Sequence, residues 1–356
     1  MKKKVTMQTI ANELGLSKSL VSKALANQTG VSEDTKELIR LTAARLGYRT
    51  NSSLKSVPSS KTGNVVVVLP REDLNDFEYW GKIISGIEEK LSEKQYSMIL
   101  SGIDTSQSTS EGMPSCVSDR RVDGALILGR VPLSYVLAVQ ATGIPIVLVD
   151  TYHNQLKIDH VYAENLSGSY EATQYLLNMN HRKLGFVGDI TYAHSFSQRF
   201  HGFNIAIQDF NSSANHRAEG FHYIDGAQDE QSLPYCPLQL ENALLKHDRP
   251  TALVCGNDPI AIHVMQLLDK LAIHCPDDIS IVGFDNLQKC KWVHPPLTSI
   301  DASKDLMGIR AVEMFLRRIE TPELRPEHTM ITTEIIERKS VKPASTLQLA
   351  KSKQEE

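Results

Sequence analysis

Seven short apolar runs recur from residue 64 onward: Val65–Leu69, Ser97–Leu100, Ala125–Leu128, Ile146–Val149, Leu184–Val187, Ala252–Cys255 and Ile279–Val282. Between them lie longer amphipathic stretches, among them Trp80–Lys94, Ser169–Met179 and Ile260–Leu271. A run that is apolar at almost every position is buried on both faces, the environment of a parallel strand covered by helices. Repeated strand–helix units build doubly wound parallel sheets. More than 270 residues of this pattern are generous for one sheet, so two similar lobes are expected.

The first 61 residues are of another kind. They carry 11 Lys and Arg against 4 Asp and Glu, whereas the rest of the chain carries 27 against 38, for a formal net charge of -4. A basic head on an acidic body is the electrostatic footprint of a nucleic-acid-binding module joined to something else. In the head, Thr6 is placed to cap a short helix with Ile10 and Leu14 on one face, and Gly15 supplies the positive φ of a tight turn. Ser17 then caps a second helix whose apolar face is Leu20, Val21, Ala24 and Leu25. Ala11, Gly15 and Val21 have the spacing of a helix-turn-helix. A third helix is expected from Ser32, with Glu33 and Asp34 in its first turn, to Gly47. The outward residues of the second helix are Lys18, Ser19, Ser22 and Lys23, placed to reach base edges in a major groove, while the Ser17 and Ser22 hydroxyls suit phosphates. Thr6 joins this DNA-facing set.

"RTNSSLKSVPSSKTG", residues 49–63, reads as a linker by composition, and Asn51 is placed to cap a turn or two containing Leu54, Lys55 and Val57. In the body, polar residues directly after strands mark the ligand-binding end of an α/β sheet. Asp150 follows "IPIVLVD", Asn257 and Asp258 follow "ALVCGND", Asp285 follows "ISIVGFD", and Arg199 lies in "SFSQRFHGF". Carboxylates, an amide and an arginine fork match the hydroxyls of a sugar or similar polyol.

Both parts resemble the lactose/galactose repressor family. The head carries the likeness in "VTMQTIANELGLSKSLVSKALANQTGVSEDT" and "LGYRTN". The body carries it in "VDGALIL", "GIPIVLVD", "NHRKLGFVGD", "RFHGF", "CGNDPIAI", "CPDDISIVGFDN" and "HPPLTSID", in family order from about Val5 to about Lys339. The resemblance implies a helix-turn-helix head at residues 1–48, a hinge at 49–63, a two-lobed body at 64–341 of the kind shared with periplasmic sugar-binding proteins, and a polar tail at 342–356. It places lobe 1 at about 64–162 and 292–325, and lobe 2 at about 163–291 and 326–341. Asp150, Ser195, Arg199, Asn257 and Asp285 fall where family members contact effector, and Trp80, with Phe77 and Tyr79, lies near a first strand-to-helix loop that can supply an aromatic platform for a sugar face, core or interface packing being the alternative. In the hinge, the resemblance implies folding on DNA with a side chain wedged into the minor groove. There Val57 stands for the usual leucine, Leu54 for an alanine and Thr50 for a proline, while Lys55 keeps the usual charge. Asn180 for glycine and Glu164 for aspartate are further departures, both away from the pocket set.

Together these features lead to the expectation of a cytoplasmic repressor of a carbohydrate operon. Its partners would be a pseudo-palindromic double-stranded operator, a small sugar-like effector and a second copy of the chain; a purine-type co-repressor is the alternative. No apolar run approaches the ~20 residues of a membrane helix, and the basic start lacks the apolar stretch of a secretory signal. Five widely spaced cysteines without a C-x-x-C fit free thiols in a reducing compartment. No cofactor or metal is expected. Without G-x-S-x-G, P-loop or H-E-x-x-H, and with no carboxylate at useful spacing from His181 or His194, an enzyme is disfavoured. A solute-binding protein is disfavoured by the basic head. The tail lacks a leucine heptad, so a dimer is expected.

Overall fold

A computed structural model describes residues 6–25, 31–32, 35–36, 38–39, 42–43, 61–105, 112–153, 155–213, 217–223 and 237–344. Two compact units are present, one built on Met1–Thr62 and the other on the chain from Gly63 onward.

In the first unit, α1 (Met7–Leu14) begins at Thr6, whose hydroxyl accepts from the Thr9 amide while the Thr9 hydroxyl accepts from the Thr6 amide. This reciprocal cap satisfies donors that a helix start leaves without partners. Gly15, at φ 65°, ends the helix in a conformation that a side chain disfavours. Ser17 then caps α2 (Lys18–Leu25) by accepting from the Leu20 amide at 3.1 Å. Ile10, Ala11, Val21 and Ala24 are buried with Ile39 and Ala43. The last two belong to the third helical stretch, where Ser32 accepts from the Thr35 amide; Glu33, Asp34 and Gly47 lie outside the described residues.

The second unit has two six-stranded sheets. Lobe 1 contains β1 (Asn64–Pro70), α3 (Trp80–Glu93), β2 (Ser97–Ile103), β3 (Gly124–Leu128), α4 (Leu133–Gln140), β4 (Ile146–Val149) and β5 (Asp159–Ala163). The chain then enters lobe 2 with α5 (Asn165–Asn178), β6 (Lys183–Val187), α6 (His194–Ser213), β7 (Glu219–Tyr223), α7 (Pro237–Leu244), β8 (Ala252–Cys255), α8 (Asp258–Lys270), β9 (Ser280–Phe284) and β10 (Thr298–Asp301). It returns for α9 (Lys304–Glu320) and β11 (His328–Ile331) and crosses a third time to place β12 (Glu334–Ile336). The strand orders are β11-β5-β4-β3-β1-β2 and β12-β10-β9-β8-β6-β7. Every described pairing is parallel except β10 with β12.

These crossings shift the lobe boundaries that the family resemblance implies. Residues 292–301 stay in lobe 2, because Thr298–Ile300 pair with Val282–Phe284, and His328–Ile331 stay in lobe 1, paired with His160–Ala163. The return to lobe 1 therefore comes at 302–303 and the final departure at 332–333, not at 292 and 326. Both lobes are purely parallel in the sequence reading; the antiparallel β12 is a departure from that in lobe 2.

Helix α9 would not seat without two glycines. A Cβ on Gly308 would lie 2.2 Å from the Ile83 carbonyl oxygen, and one on Gly86 would lie 2.1 Å from that of Asp305, so α3 and α9 pack backbone to backbone. The far end of α9 is fixed electrostatically. Arg318 makes a fork to the buried Asp159 of β5 through Nε at 2.8 Å and Nη2 at 3.0 Å, the two-point geometry that makes such pairs strong.

Candidate functional site

The carboxyl ends of the strands in both lobes face a cavity of about 150 Å³, and Trp80, Asp150, Ser195, Arg199, Asn257 and Asp285 all line it. Arg199, on α6, is 3% exposed, so its charge must be compensated inside the protein. Its Nε donates to Asn165 Oδ1 at 2.8 Å, its Nη1 to the Gly256 carbonyl at 2.6 Å and its Nη2 to Asp285 Oδ1 at 3.2 Å. The guanidinium also lies 3.6 Å from the Phe284 ring centroid, a favourable face for a cation.

Asp285 follows β9 at φ 105° and Asp150 follows β4 at φ 49°. Positive φ is uncommon outside glycine and easiest for Asp and Asn. It costs on the order of 1–3 kcal/mol, and such residues concentrate at ligand sites. Burial drives both carboxyls above the ordinary carboxylate range, and the Arg199 charge pulls in the opposite direction on each. The buried Tyr79 hydroxyl donates to Asp150 Oδ2 at 2.7 Å. Each of the two carboxylates keeps its other oxygen free of protein hydrogen bonds among the described residues.

Asn257 has two roles. Its side-chain oxygen accepts from the Ile260 amide and caps α8, which leaves its two N–H donors for the cavity. Asp258 does not line the cavity. It accepts from the Ser299 hydroxyl at 2.6 Å and the Leu287 amide at 2.8 Å, so it fixes the loop that carries Asp285. Trp80 is 8% exposed and meets Tyr79 edge-on at 5.0 Å, whereas Phe77 is 76% exposed and does not line the cavity.

Several residues that shape this site carry no local signal. Tyr79 ranks with its aromatic neighbours in the sequence, yet it is the one bonded to Asp150. Asn165 sits at the first lobe crossing, and Lys304, at the second, donates to the Asp285 carbonyl and lies 3.6 Å from Asp301. Asp73, Asp76 and Arg130 complete the lobe 1 wall, and burial raises the Asp73 carboxyl to about 6. Among the described residues no set of three His, Cys, Asp or Glu is arranged to hold a metal, and no helix is long and apolar enough to cross a membrane.

In the head, Lys18, Ser19, Ser22 and Lys23 are all exposed on α2, and neither lysine has an ion-pair partner among the described residues. Thr6 and Ser17 sit at the helix starts with their hydroxyls used in capping. Asn51, Leu54, Lys55 and Val57 of the hinge lie outside the described residues.

Residues 173–341 match the periplasmic binding protein-like domain. Over nearly its whole length the chain is also similar to repressors. It is 26% identical over 334 residues to an HTH-type transcriptional repressor PurR of Glaesserella parasuis serovar 5 (strain SH0165), covering 93% of this chain and 95% of the relative. It is 25% identical over 345 residues to a probable HTH-type transcriptional repressor ExuR of Bacillus subtilis (strain 168), covering 96% and 100%. The chain is thus similar over nearly its whole length to repressors of the LacI type. The fold agrees. A complex of the transcriptional regulator CelR with cellobiose superposes with a TM-score of 0.67 at 20% identity, covering 94% of this chain and 99% of that one. A lac repressor dimer bound to operator and the anti-inducer ONPF superposes with a TM-score of 0.64 at 18% identity, covering 96% and 100%.

Proposed function

We propose that this chain is a LacI-family transcriptional repressor that acts in the cytoplasm as a homodimer, holds a pseudo-palindromic operator through α2 of each head, and answers to a small sugar-like effector in the body cleft. Its genes would be those of a carbohydrate-utilisation operon. The observation that carries the ligand assignment is the convergence of Asp150, Arg199, Asn257 and Asp285 on one cavity. Free carboxylate oxygens and the Asn257 amide offer acceptors and donors at close spacing, which suits vicinal hydroxyls. For the DNA assignment the support is the exposed row Lys18, Ser19, Ser22 and Lys23 on a capped second helix, which is how such modules present side chains to a major groove. The hinge residues Asn51, Leu54, Lys55 and Val57 are assigned to the DNA contact on the family resemblance.

The cleft is walled by strand ends of both lobes, and the first two lobe crossings each carry a residue bonded to the site. An effector that fits one lobe arrangement better than another shifts the balance between them by its difference in affinity, and the heads feel that shift. For an inducer the favoured arrangement releases DNA. The similarity to PurR supports the second reading, a purine-type co-repressor, with the same architecture and the opposite sign.

The test is a melting screen of the full-length chain with sugars, nucleosides and purines, followed by operator binding with each hit. A ligand at about 100 times its Kd adds ~2.7 kcal/mol to the folded state. A sugar that stabilises the chain and lowers operator affinity supports the proposal. A purine that stabilises it and raises operator affinity replaces it with the second reading.

A further inference from the structure

The cleft continues past the polar cavity. A second chamber of about 420 Å³ adjoins it, and Gly129, Arg130, Asp150, Tyr192, Ala193 and Ser195 line both. One molecule can therefore occupy the two together. Ligand pockets that bury a small molecule are ~300–1,000 Å³; the polar cavity alone falls below that range, whereas the second chamber and the pair fall within it.

The two chambers differ in chemistry. Asp73, Asp76, Asp150 and Asp285 face the polar cavity against Arg130 and Arg199, and Arg199 is already engaged by Asn165, Gly256 and Asp285. The second chamber is walled by aromatic rings. Tyr152, just after β4 in lobe 1, stacks on His194, at the start of α6 in lobe 2, with ring centroids 4.3 Å apart and 12° between planes. Tyr162 meets Tyr152 nearly edge-on at 5.9 Å. On the shared wall the Arg130 guanidinium lies 3.9 Å from the Tyr192 ring centroid. The hydroxyls of Tyr152 and Tyr162 and the amide nitrogen of Gln198 make no hydrogen bond among the described residues, so the chamber offers polar groups at the rims of apolar faces. That combination fits a ring with C–H faces and hydroxyl edges.

We propose that the second chamber is a subsite for a second ring, so that the effector is a neutral glycoside of two units: one hydroxyl-rich ring among the carboxylates, its neighbour against Tyr152 and Tyr162. This rests on the reading that the cleft takes a sugar-like effector. It also excludes acidic sugars and phosphates. A ligand anion in the polar cavity would meet four carboxylates with Arg199 already engaged and only Arg130 on the shared wall to offset them, and like charges in a buried site are disfavoured.

Calorimetric titration of the full-length chain tests this, with glucose, methyl glucoside, galactose, cellobiose, lactose, maltose, glucuronate and hypoxanthine as probes. At least one disaccharide is expected to bind tenfold or more tighter than its own monosaccharide. Tyr152→Ala should shrink that ratio at least fivefold. Tyr162→Phe, which keeps the ring and removes only the hydroxyl, should shrink it by twofold or more, and so holds the test open if Tyr152→Ala fails to fold. A monosaccharide that binds as tightly as every disaccharide overturns the second subsite and leaves the sugar reading intact. An unchanged ratio in both variants does the same. Binding of glucuronate or hypoxanthine alone, or of no probe, overturns both.

Discussion

Replacing Arg199 with methionine keeps most of the stem against Phe284 and removes the charged fork. Three acceptors lose their donor: Asn165 Oδ1, the Gly256 carbonyl and Asp285 Oδ1. Deleting one partner of a buried ion pair costs ~3–5 kcal/mol, because the other charge is left without compensation. Asp285 has a partial escape. Its carboxyl is already raised by burial, and losing the arginine raises it further, so it takes up a proton in the folded state. That limits the loss, and about 4 kcal/mol is expected near pH 8. With ~2–4 °C per kcal/mol for domains of 150–250 residues, melting falls by about 8–16 °C. The folded variant then holds a proton that the unfolded chain has released above the ordinary aspartate value. The parent's own Asp285 carboxyl is already raised to about 7, so the two proteins keep step below that, and the deficit should grow as pH rises from about 7 to 8, by at most ~1.4 kcal/mol per unit. Urea titrations of both proteins at pH 5.5 and 8 measure this, and Asp285→Asn added to Arg199→Met should recover part of the loss. A deficit under about 1 kcal/mol, or one independent of pH, would refute the claim that Arg199 and Asp285 are a compensating buried pair.

Lys18→Ala and Lys23→Ala should each weaken operator binding and flatten its dependence on salt, by a slope of about one if the lysine contacts a phosphate; an unchanged melting curve separates this from misfolding, and unchanged affinity would remove α2 from the interface. Gly308→Ala forces a methyl into the Ile83 carbonyl and should cost at least ~1–3 kcal/mol in denaturant titration, whereas a neutral result would mean that α3 and α9 pack less closely than described. His160 is buried with neither ring nitrogen bonded among the described residues, and burial, then the nearby His328 and His153, lowers it from 6.5 to about 4. Below pH 6.5 the unfolded chain takes up a proton that the folded chain refuses, so stability is lost as pH falls toward 4. His160→Phe should remove that loss, gaining on the order of 2 kcal/mol over the parent at pH 4.5 relative to pH 8; a gain equal at both pH values would contradict it.

How much of the fold and site is legible depends on which physical signal each residue leaves. Central strands such as β1, β3, β4 and β8 are buried along nearly their whole length and announce themselves as apolar runs. By contrast β5 carries Asp159 and His160 at fully buried positions, and β10 begins with the buried Thr298 and Ser299. A pattern read by hydrophobicity passes over both. The first two lobe crossings follow those two strands, so hydrophobic patterning leaves them undefined, and the boundaries come from the family resemblance instead. Strand-end residues Asp150, Asn257 and Asp285 are visible because a polar residue directly after an apolar run has few structural reasons to be there. Asn165 and Lys304 are not visible, since their role comes from Arg199 and Asp285, which are distant in the chain.

The most direct measurement is the affinity of the full-length chain for an operator selected from random duplex DNA, by fluorescence anisotropy at fixed salt, with and without a saturating amount of the tightest-binding sugar. A change of tenfold or more, about 1.4 kcal/mol of coupling between cleft and head, is the expected result, with the Arg199→Met variant insensitive to the same sugar. Operator affinity that stays constant while the sugar demonstrably occupies the cleft would contradict the account.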